Sequence, residues 1–401
     1  MNVIEIGSSD HRRASAGMLM GSIVVFAVLY SPQPLISLFS KEYHISPATA
    51  GASISLATIG LGIGLILISA LSSTLERKKL MSLSLLLTSI LAVASAFCHQ
   101  FSLFLVIRFL EGISISGFPS IAMAYINEEF HRKDIGRVMG SYIGGTAIGG
   151  FTGRIVIGAL TDILNWHTAL LILGIINLGL SLYFWKSLPP ARNFQPQRRS
   201  FREWQAGITG NLLNKRLLLL FITGFLLMGV YIMILDYIGY PLTAKPYELS
   251  QTVFGFLFVV NLVGTFSSIW FGKLADRHPR PQVIAIAISI FALGAFLTLI
   301  PVLALKIVGV ALVAFGFFGG HSVASGWVGL VADSKHKAQA ASLYLLFYYG
   351  GSSLVGWSGG LFLRHLGWSG LIYYAFALLA AAVLITSIAG EAIHLRRLQL
   401  K

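Results

Sequence analysis

Apolar residues run in stretches of about 20, the length a helix needs to cross a bilayer core, and short polar segments rich in Lys and Arg separate them. These stretches predict helices over 16–39, 48–71, 80–97, 101–125, 136–160 and 166–185, then over 217–240, 250–271, 283–301, 306–331, 338–362 and 368–389. None shows the short alternating segments of a membrane β-barrel. The pattern predicts an all-α, polytopic membrane protein of twelve transmembrane helices. Between the sixth and seventh, residues 186–216 hold Pro189, Pro190 and Pro196 with seven basic residues and a single acid, Glu203. That composition predicts an exposed linker. It divides the chain into a six-helix bundle over 1–185, a basic linker over 186–216 and a second six-helix bundle over 217–401.

Composition narrows the class. With 56% hydrophobic residues, 11% charged and a mean hydropathy of +0.79, no single water-soluble core could bury the apolar residues. The net charge of +14 would suggest nucleic acid if the basic residues shared one soluble face. They sit in short loops instead, so the expected partner is the lipid bilayer and no nucleic acid. Arg12, Arg13, Arg77, Lys78, Lys79, Arg132, Lys133, Arg137, the linker, Lys273, Arg277, Arg280, Lys335, Lys337, Arg396, Arg397 and Lys401 fall on one side. Opposite them stand Lys41, Lys245, Lys306 and Arg364. The positive-inside rule then places both termini and the linker in the cytoplasm. The run 16–39 follows Arg12 and Arg13 as a signal peptide would, but its length, with Pro32 and Pro34, predicts an uncleaved first span. The single cysteine, Cys98, excludes a disulfide framework and a Cys-rich metal site; no metal or cofactor is expected.

The two halves repeat. Ile45-Ser46, an apolar span and Glu76-Arg77-Lys78-Lys79 correspond to Leu249-Ser250, an apolar span and Asp276-Arg277-His278-Pro279-Arg280, and Gly140-Ser141-Tyr142 echoes Ser342-Leu343-Tyr344. A parallel repeat of this kind marks a transporter built from two pseudo-symmetric bundles around a central site. Ionisable residues inside the spans are the candidates for its chemistry. Arg108 and Glu111 lie in the fourth span, where each charge costs about 2.5–3.5 kcal/mol without a partner or water, and their i, i+3 spacing puts both on one helix face. They serve proton coupling or substrate contact, or else form a permanent ion pair that orders the bundle. Arg154, deep in the fifth span, pairs with Glu111, attracts an anionic substrate group, or is structural. Asp236, near the outer end of the seventh span, joins the coupling or sits beside an interfacial aromatic belt. His321 in the tenth span relays a proton or is a hydrogen-bonded core histidine. Tyr344 and Tyr348, with Tyr30 and Gln33, line a pocket for amphipathic organic molecules or simply pack.

Three stretches carry a family resemblance. Gly272-Lys273-Leu274-Ala275-Asp276-Arg277-His278-Pro279-Arg280 resembles the G-x-L-A-D-R-x-x-R loop of the major facilitator superfamily, and Arg108-Phe109-Leu110-Glu111-Gly112 resembles its fourth-span R-x-x-[Q/E]-G motif. Gly144-Gly145-Thr146-Ala147-Ile148-Gly149-Gly150 with Gly153 resembles the G-P-x-x-G-G motif of antiporters, with Thr146 in place of proline. The resemblance covers essentially the whole chain and looks closest to the bacterial drug:proton antiporter branch. It implies two bundles working by alternating access, a role for Arg108 in proton coupling, and a cytoplasmic latch at Gly272, Asp276, Arg277 and Arg280. Arg77 stands in the first-half copy of that latch, where Ser69 replaces the glycine and Ser73 the acid. Gly272 is expected to be a tight packing point. The implied function is proton-coupled export of small organic compounds or drugs by a monomer in a bacterial inner membrane. The alternative is a facilitator or symporter for an organic anion, with Arg108 and Arg154 as carboxylate clamps. The chain has no H-E-x-x-H helix and no phosphate-binding Gly-Lys-Ser/Thr loop, so neither an enzyme nor an ATP-driven pump is expected. An intramembrane enzyme using His321 with Ser322 or Ser325 is the remote alternative.

Overall fold

A computed structural model describes residues 3–5, 7–71, 75–131, 135–194, 201–333 and 336–399. Ser73, Arg132, Lys133, Pro196, Lys335 and Lys401 lie outside the described residues, as do the side chains of Ser69, Glu203, Arg396 and Arg397. The chain is all-α and polytopic, and every expected span has its helix.

Local chemistry sets where each span starts, stops or breaks. The first begins at Ser9, whose helix is capped by Ser8 Oγ accepting from His11 N at 3.1 Å. It runs Ser9–Tyr30, loosens to a 3₁₀ turn at Gln33–Leu35 and resumes as Ile36–Glu42. Pro32 and Pro34 have no N–H to donate, so the ladder cannot pass through them. The second and third spans are Pro47–Leu71 and Arg77–Ser95; the fourth is Phe101–Ile115 with Gly117–Glu129; the fifth is Ile135–Ile163. The sixth, Trp166–Ser187, is capped by Asn165, which accepts from Thr168 N at 2.8 Å. In the second half the seventh span is Lys215–Tyr237 continued by Gly239–Thr243, and Asn214 caps it by accepting from Arg216 N at 3.1 Å. The eighth joins Gln251–Leu257, a 3₁₀ stretch Phe258–Leu262 and Val263–Arg277. The ninth and tenth are Arg280–Leu297 and Leu303–Val331. The last two form one helical run, Lys337–Gln399, that turns at Gly367 with φ +66° and ψ −166°, a conformation open in practice only to glycine.

One expectation is corrected. The segment from Gly272 to Arg277 is not a loop but the end of the helix Val263–Arg277. Lys273, Leu274 and Ala275 are good helix formers, and the chain leaves the helix only at His278, where the following Pro279 disfavours helical geometry. Within the linker stands the helix Phe201–Leu213. Gln339 Nε2 donates to Trp204 O at 3.5 Å and Asn211 Nδ2 to His336 O at 3.3 Å, which ties that helix to the start of the eleventh span.

The chain resolves into two compact units. One comprises Met1–Leu35, Leu56–Ser200 and Leu249–Phe258; the other comprises Ile36–Ser55, Phe201–Glu248 and Val259–Lys401. In the first unit the fifth span closes on the first through a stripe of glycines. A Cβ on Gly145 would stand 2.5 Å from Leu19 O, one on Gly149 2.5 Å from Ile23 O, and one on Gly153 2.7 Å from Ala27 Cα. The glycine-rich motif therefore packs backbone against backbone, as small-residue faces do where lipid offers no hydrophobic drive. In the second unit Ser353 Oγ donates to Ser55 O at 2.7 Å, and the Thr223 and Thr386 hydroxyls meet at 3.2 Å. Polar pairs lie inside, while Leu67, Leu83, Phe97, Phe266 and Leu384 are more than half exposed. That distribution suits a protein solvated by lipid.

The stripe gives a stability test. Gly149→Ala should cost about 1–3 kcal/mol by overpacking, read as a lower thermal unfolding midpoint of the purified protein. Gly144→Ala, with no atom within 4 Å of the added carbon, should leave the midpoint unchanged or raise it.

Candidate functional site

A helix that ends inside a bilayer leaves its last carbonyls without intrahelical donors, and the hydrocarbon offers none. At the break after Tyr30 the missing donors come from Arg108. Its Nη2 donates to Leu29 O at 2.6 Å and its Nη1 to Val28 O at 3.1 Å. Ser31 Oγ adds a third bond, to Val28 O at 3.0 Å. A cation at the carbonyl end of a helix also complements the helix dipole. Glu111, one turn along the same face, accepts from Arg108 Nη1 and neutralises it. Both residues are 1% exposed. The i, i+3 pairing read from the sequence is present, and in this structure it is closed and fastened to the first span.

Arg154 is brought to the same break, but not to Glu111. Its Nε donates to Gln33 Oε1 at 2.6 Å and its Nη1 to Gly150 O. Its guanidinium carbon lies 4.5 Å from the centroid of the Tyr30 ring and 4.6 Å from that of Phe258, so the charge is sandwiched between two aromatic faces. Tyr30 and Gln33 are thus buried partners of Arg154. The pairing of Arg154 with Glu111 is corrected: the carboxylate is taken by the arginine on its own helix.

In the second unit His321 Nδ1 lies 2.9 Å from the Tyr344 hydroxyl, and the Tyr348 ring is 4.7 Å from the imidazole. His321, Tyr344 and Tyr348 therefore do form one cluster. Asp236 is 1% exposed and sits against the eleventh span, where a Cβ on Gly356 would be 3.6 Å from its Oδ2. It is buried in the interior of the unit.

The latch residues divide unevenly. Arg77 donates to both oxygens of Glu128, at 3.1 Å from Nε and 2.8 Å from Nη2, with its guanidinium 4.6 Å from the Phe194 ring. Glu76 pairs with Lys79 at 3.1 Å. In the second half Asp276 and Arg277 are exposed, Arg280 is half-buried, and none of the three is in an ion pair among the described residues. Nothing lies within 4 Å of a Cβ on Gly272. The tight packing expected there is absent, because the extended helix presents that face to open space.

Other participants lay outside the sequence reading. Glu128 could have been matched to Arg77, since both fall at span ends on the Lys/Arg-rich side. Asp162 accepts from Gln251 N at 3.1 Å, Thr252 N at 2.7 Å and Thr252 Oγ1 at 2.6 Å, capping the eighth span from the end of the fifth; no sequence signal pairs them. Residues 356–360 match the G-x-S-x-G spacing of a nucleophile elbow, yet they lie within a helix, with Ser358 Oγ donating to Val355 O at 3.1 Å. No His, Cys, Asp or Glu cluster fit for a metal ion occurs among the described residues.

Comparison with known proteins agrees with this architecture. The family model described as Major Facilitator Superfamily matches residues 18–241 and 237–392. The chain is 42% identical to the "Uncharacterized MFS-type transporter YybF" of Bacillus subtilis (strain 168), over 95% of this chain and 94% of that one. It is 37% identical to the "Inner membrane transport protein YnfM" of Escherichia coli (strain K12), over 98% and 93%. Among solved structures it is similar in fold to a bacterial homologue of the human lysosomal transporter Spinster, inward-facing and unoccupied, with a TM-score of 0.75, 16% identity and 96% of each chain covered.

The buried pair makes a stability prediction. Glu111→Ala leaves Arg108 an uncompensated buried cation and should cost about 3–5 kcal/mol. Glu111→Gln, which keeps an acceptor for the guanidinium, should cost clearly less. Thermal unfolding in one detergent compares the two, and equal losses would mean that Arg108 needs the charge at residue 111 and gains nothing from a neutral acceptor there.

Proposed function

This chain belongs to the Major Facilitator Superfamily, is a multi-pass membrane transporter of small molecules rather than an enzyme, and we propose that it exports small organic compounds in exchange for protons by alternating access. The observation that carries the reading is the Arg108–Glu111 pair, sealed at membrane depth and bonded to the broken first span. An ionised carboxylate is tolerated there only while the guanidinium is beside it. A movement that draws Arg108 away leaves Glu111 in surroundings that favour its neutral form, so the carboxyl takes up a proton. When the pair closes again, the proton is released. The interrupted first span supplies the movable part, since its ends are joined by a 3₁₀ turn and not by a continuous ladder.

In this reading the bundles rock between states, and Asp276, Arg277, Arg280 and Gly272 engage as a cytoplasmic latch in the state opposite to the one in which Asp276 and Arg277 stand exposed. Arg77 and Glu128 form its first-half counterpart. Asp236 and His321 are the titratable groups of the second half available to a proton path. The Lys and Arg distribution supports cytoplasmic termini in a bacterial inner membrane, the location that the name of the relative YnfM gives for that protein. An organic-anion carrier using Arg108 and Arg154 as clamps is the weaker reading. Each guanidinium is already engaged, one by Glu111 and two carbonyls and the other by Gln33, Gly150 O and two rings.

Proteoliposomes with an imposed pH gradient test the proposal. The native chain should drive an organic dye uphill against inward proton flow, and Glu111→Gln should abolish uphill movement while keeping dye exchange. Uphill transport unchanged in Glu111→Gln would remove Glu111 from the mechanism, and indifference of the native chain to the gradient would leave a facilitator.

A further inference from the structure

The seventh, tenth and eleventh spans gather Tyr231, Phe317, His321, Tyr344 and Tyr348 in the second unit. Tyr231 stacks on Phe317 at 3.9 Å and 7°. Phe317 and His321 lie within 10° of parallel at 5.8 Å, and His321 and Tyr344 within 24° at 5.6 Å. Tyr348 leans over the imidazole at 4.7 Å. A series of nearly parallel rings is a surface to which one more flat ring adds by offset stacking.

The back of this surface is fixed. Tyr231, Phe317 and Tyr344 are buried, and Gly224 lets the seventh span close on the Tyr344 ring, where a Cβ would stand 2.6 Å from it. His321 and Tyr348 are the half-buried members. They are the members of the cluster with surface left uncovered.

The hydrogen bond inside the cluster sets what such a molecule must carry. A buried phenol needs an acceptor for its O–H, and His321 Nδ1, 2.9 Å from Tyr344 Oη, is that acceptor. A neutral imidazole accepting at Nδ1 keeps its proton on Nε2. The accessible residue therefore offers a hydrogen-bond donor beside a flat aromatic face. His321 is in no ion pair among the described residues, so the cluster asks for an acceptor and not for a charge.

We propose that this cluster is a binding site for a flat aromatic or heteroaromatic molecule bearing a hydrogen-bond acceptor, its ring against Tyr348 and its acceptor on His321 Nε2–H. Tyr344 is a positioning residue that holds the imidazole tautomer. The proposal rests on the reading of the chain as a carrier of small organic compounds and names their class.

Equilibrium binding to the full chain in lipid nanodiscs, with no gradient, tests it with two probes of equal polarity. Benzamide should bind, and cyclohexanecarboxamide, which has the same amide on a puckered ring, should bind about tenfold more weakly. Tyr348→Ala should weaken benzamide about tenfold and erase that preference, whereas Tyr348→Phe should keep both. His321→Ala should weaken benzamide several-fold. Tyr344→Phe should weaken it too and shift the ¹⁵N signals of His321 away from the Nε2–H tautomer, which a merely structural tyrosine would not do. Equal binding of the two amides, no binding of either, or native benzamide binding in Tyr348→Ala would overturn the site. If Tyr348→Ala does not fold, Tyr348→Leu carries the same test. A chain that binds benzamide in this way but moves no protons fails only the coupling reading. One that exports a dye through Glu111 yet ignores benzamide fails only this proposal.

Discussion

Backbone carbonyls set free at membrane depth must find donors within the protein, and the first unit is arranged around meeting that requirement at one place. Pro32 and Pro34 end the ladder of the first span, and Arg108 covers the exposed carbonyls of Val28 and Leu29. The guanidinium then needs a counter-charge, which Glu111 provides from one turn away. Arg154 grips the far side of the break through Gln33 and the Tyr30 ring. Neither arginine would reach without close packing. The glycines at 145, 149 and 153 bring the fifth span onto the backbone of residues 19–27, and Gly112 does the same between the fourth span and Ala57.

The second unit solves a similar problem with different chemistry. Two of its deep basic groups are tied to neutral partners. Lys306 Nζ donates to Thr298 O, which also accepts from Trp368 Nε1 at 3.2 Å, and His321 bonds to a tyrosine.

Much of this was legible in the chain because the bilayer imposes one length scale on every span. The twelve helices followed from it, and the Arg108–Glu111 pair followed from i, i+3 geometry alone. Partners distant in sequence were not legible. Arg154 was offered Glu111 as the nearest charge in need, whereas a neutral amide and two rings proved to hold it. The stretch from Gly272 to Arg277 was read as a loop because it matches a motif between spans, although its residues favour helix. The two motif copies show the same limit from another side. The first-half copy, which departs from the pattern, is the ion-paired one, through Arg77 and Glu128, a residue outside the motif. In the second-half copy, which fits the pattern, Asp276 and Arg277 are exposed. Sequence fixes which groups can pair; packing decides which do.

Coupling through this pair requires that it part and that Glu111 then hold a proton. Difference infrared spectroscopy of the reconstituted chain, recorded on adding a transported dye at constant pH, observes this directly. A change in the protonated-carboxyl band should be present in the native chain and missing in Glu111→Gln. A spectrum with no such band, or one with the same band in both proteins, would contradict it.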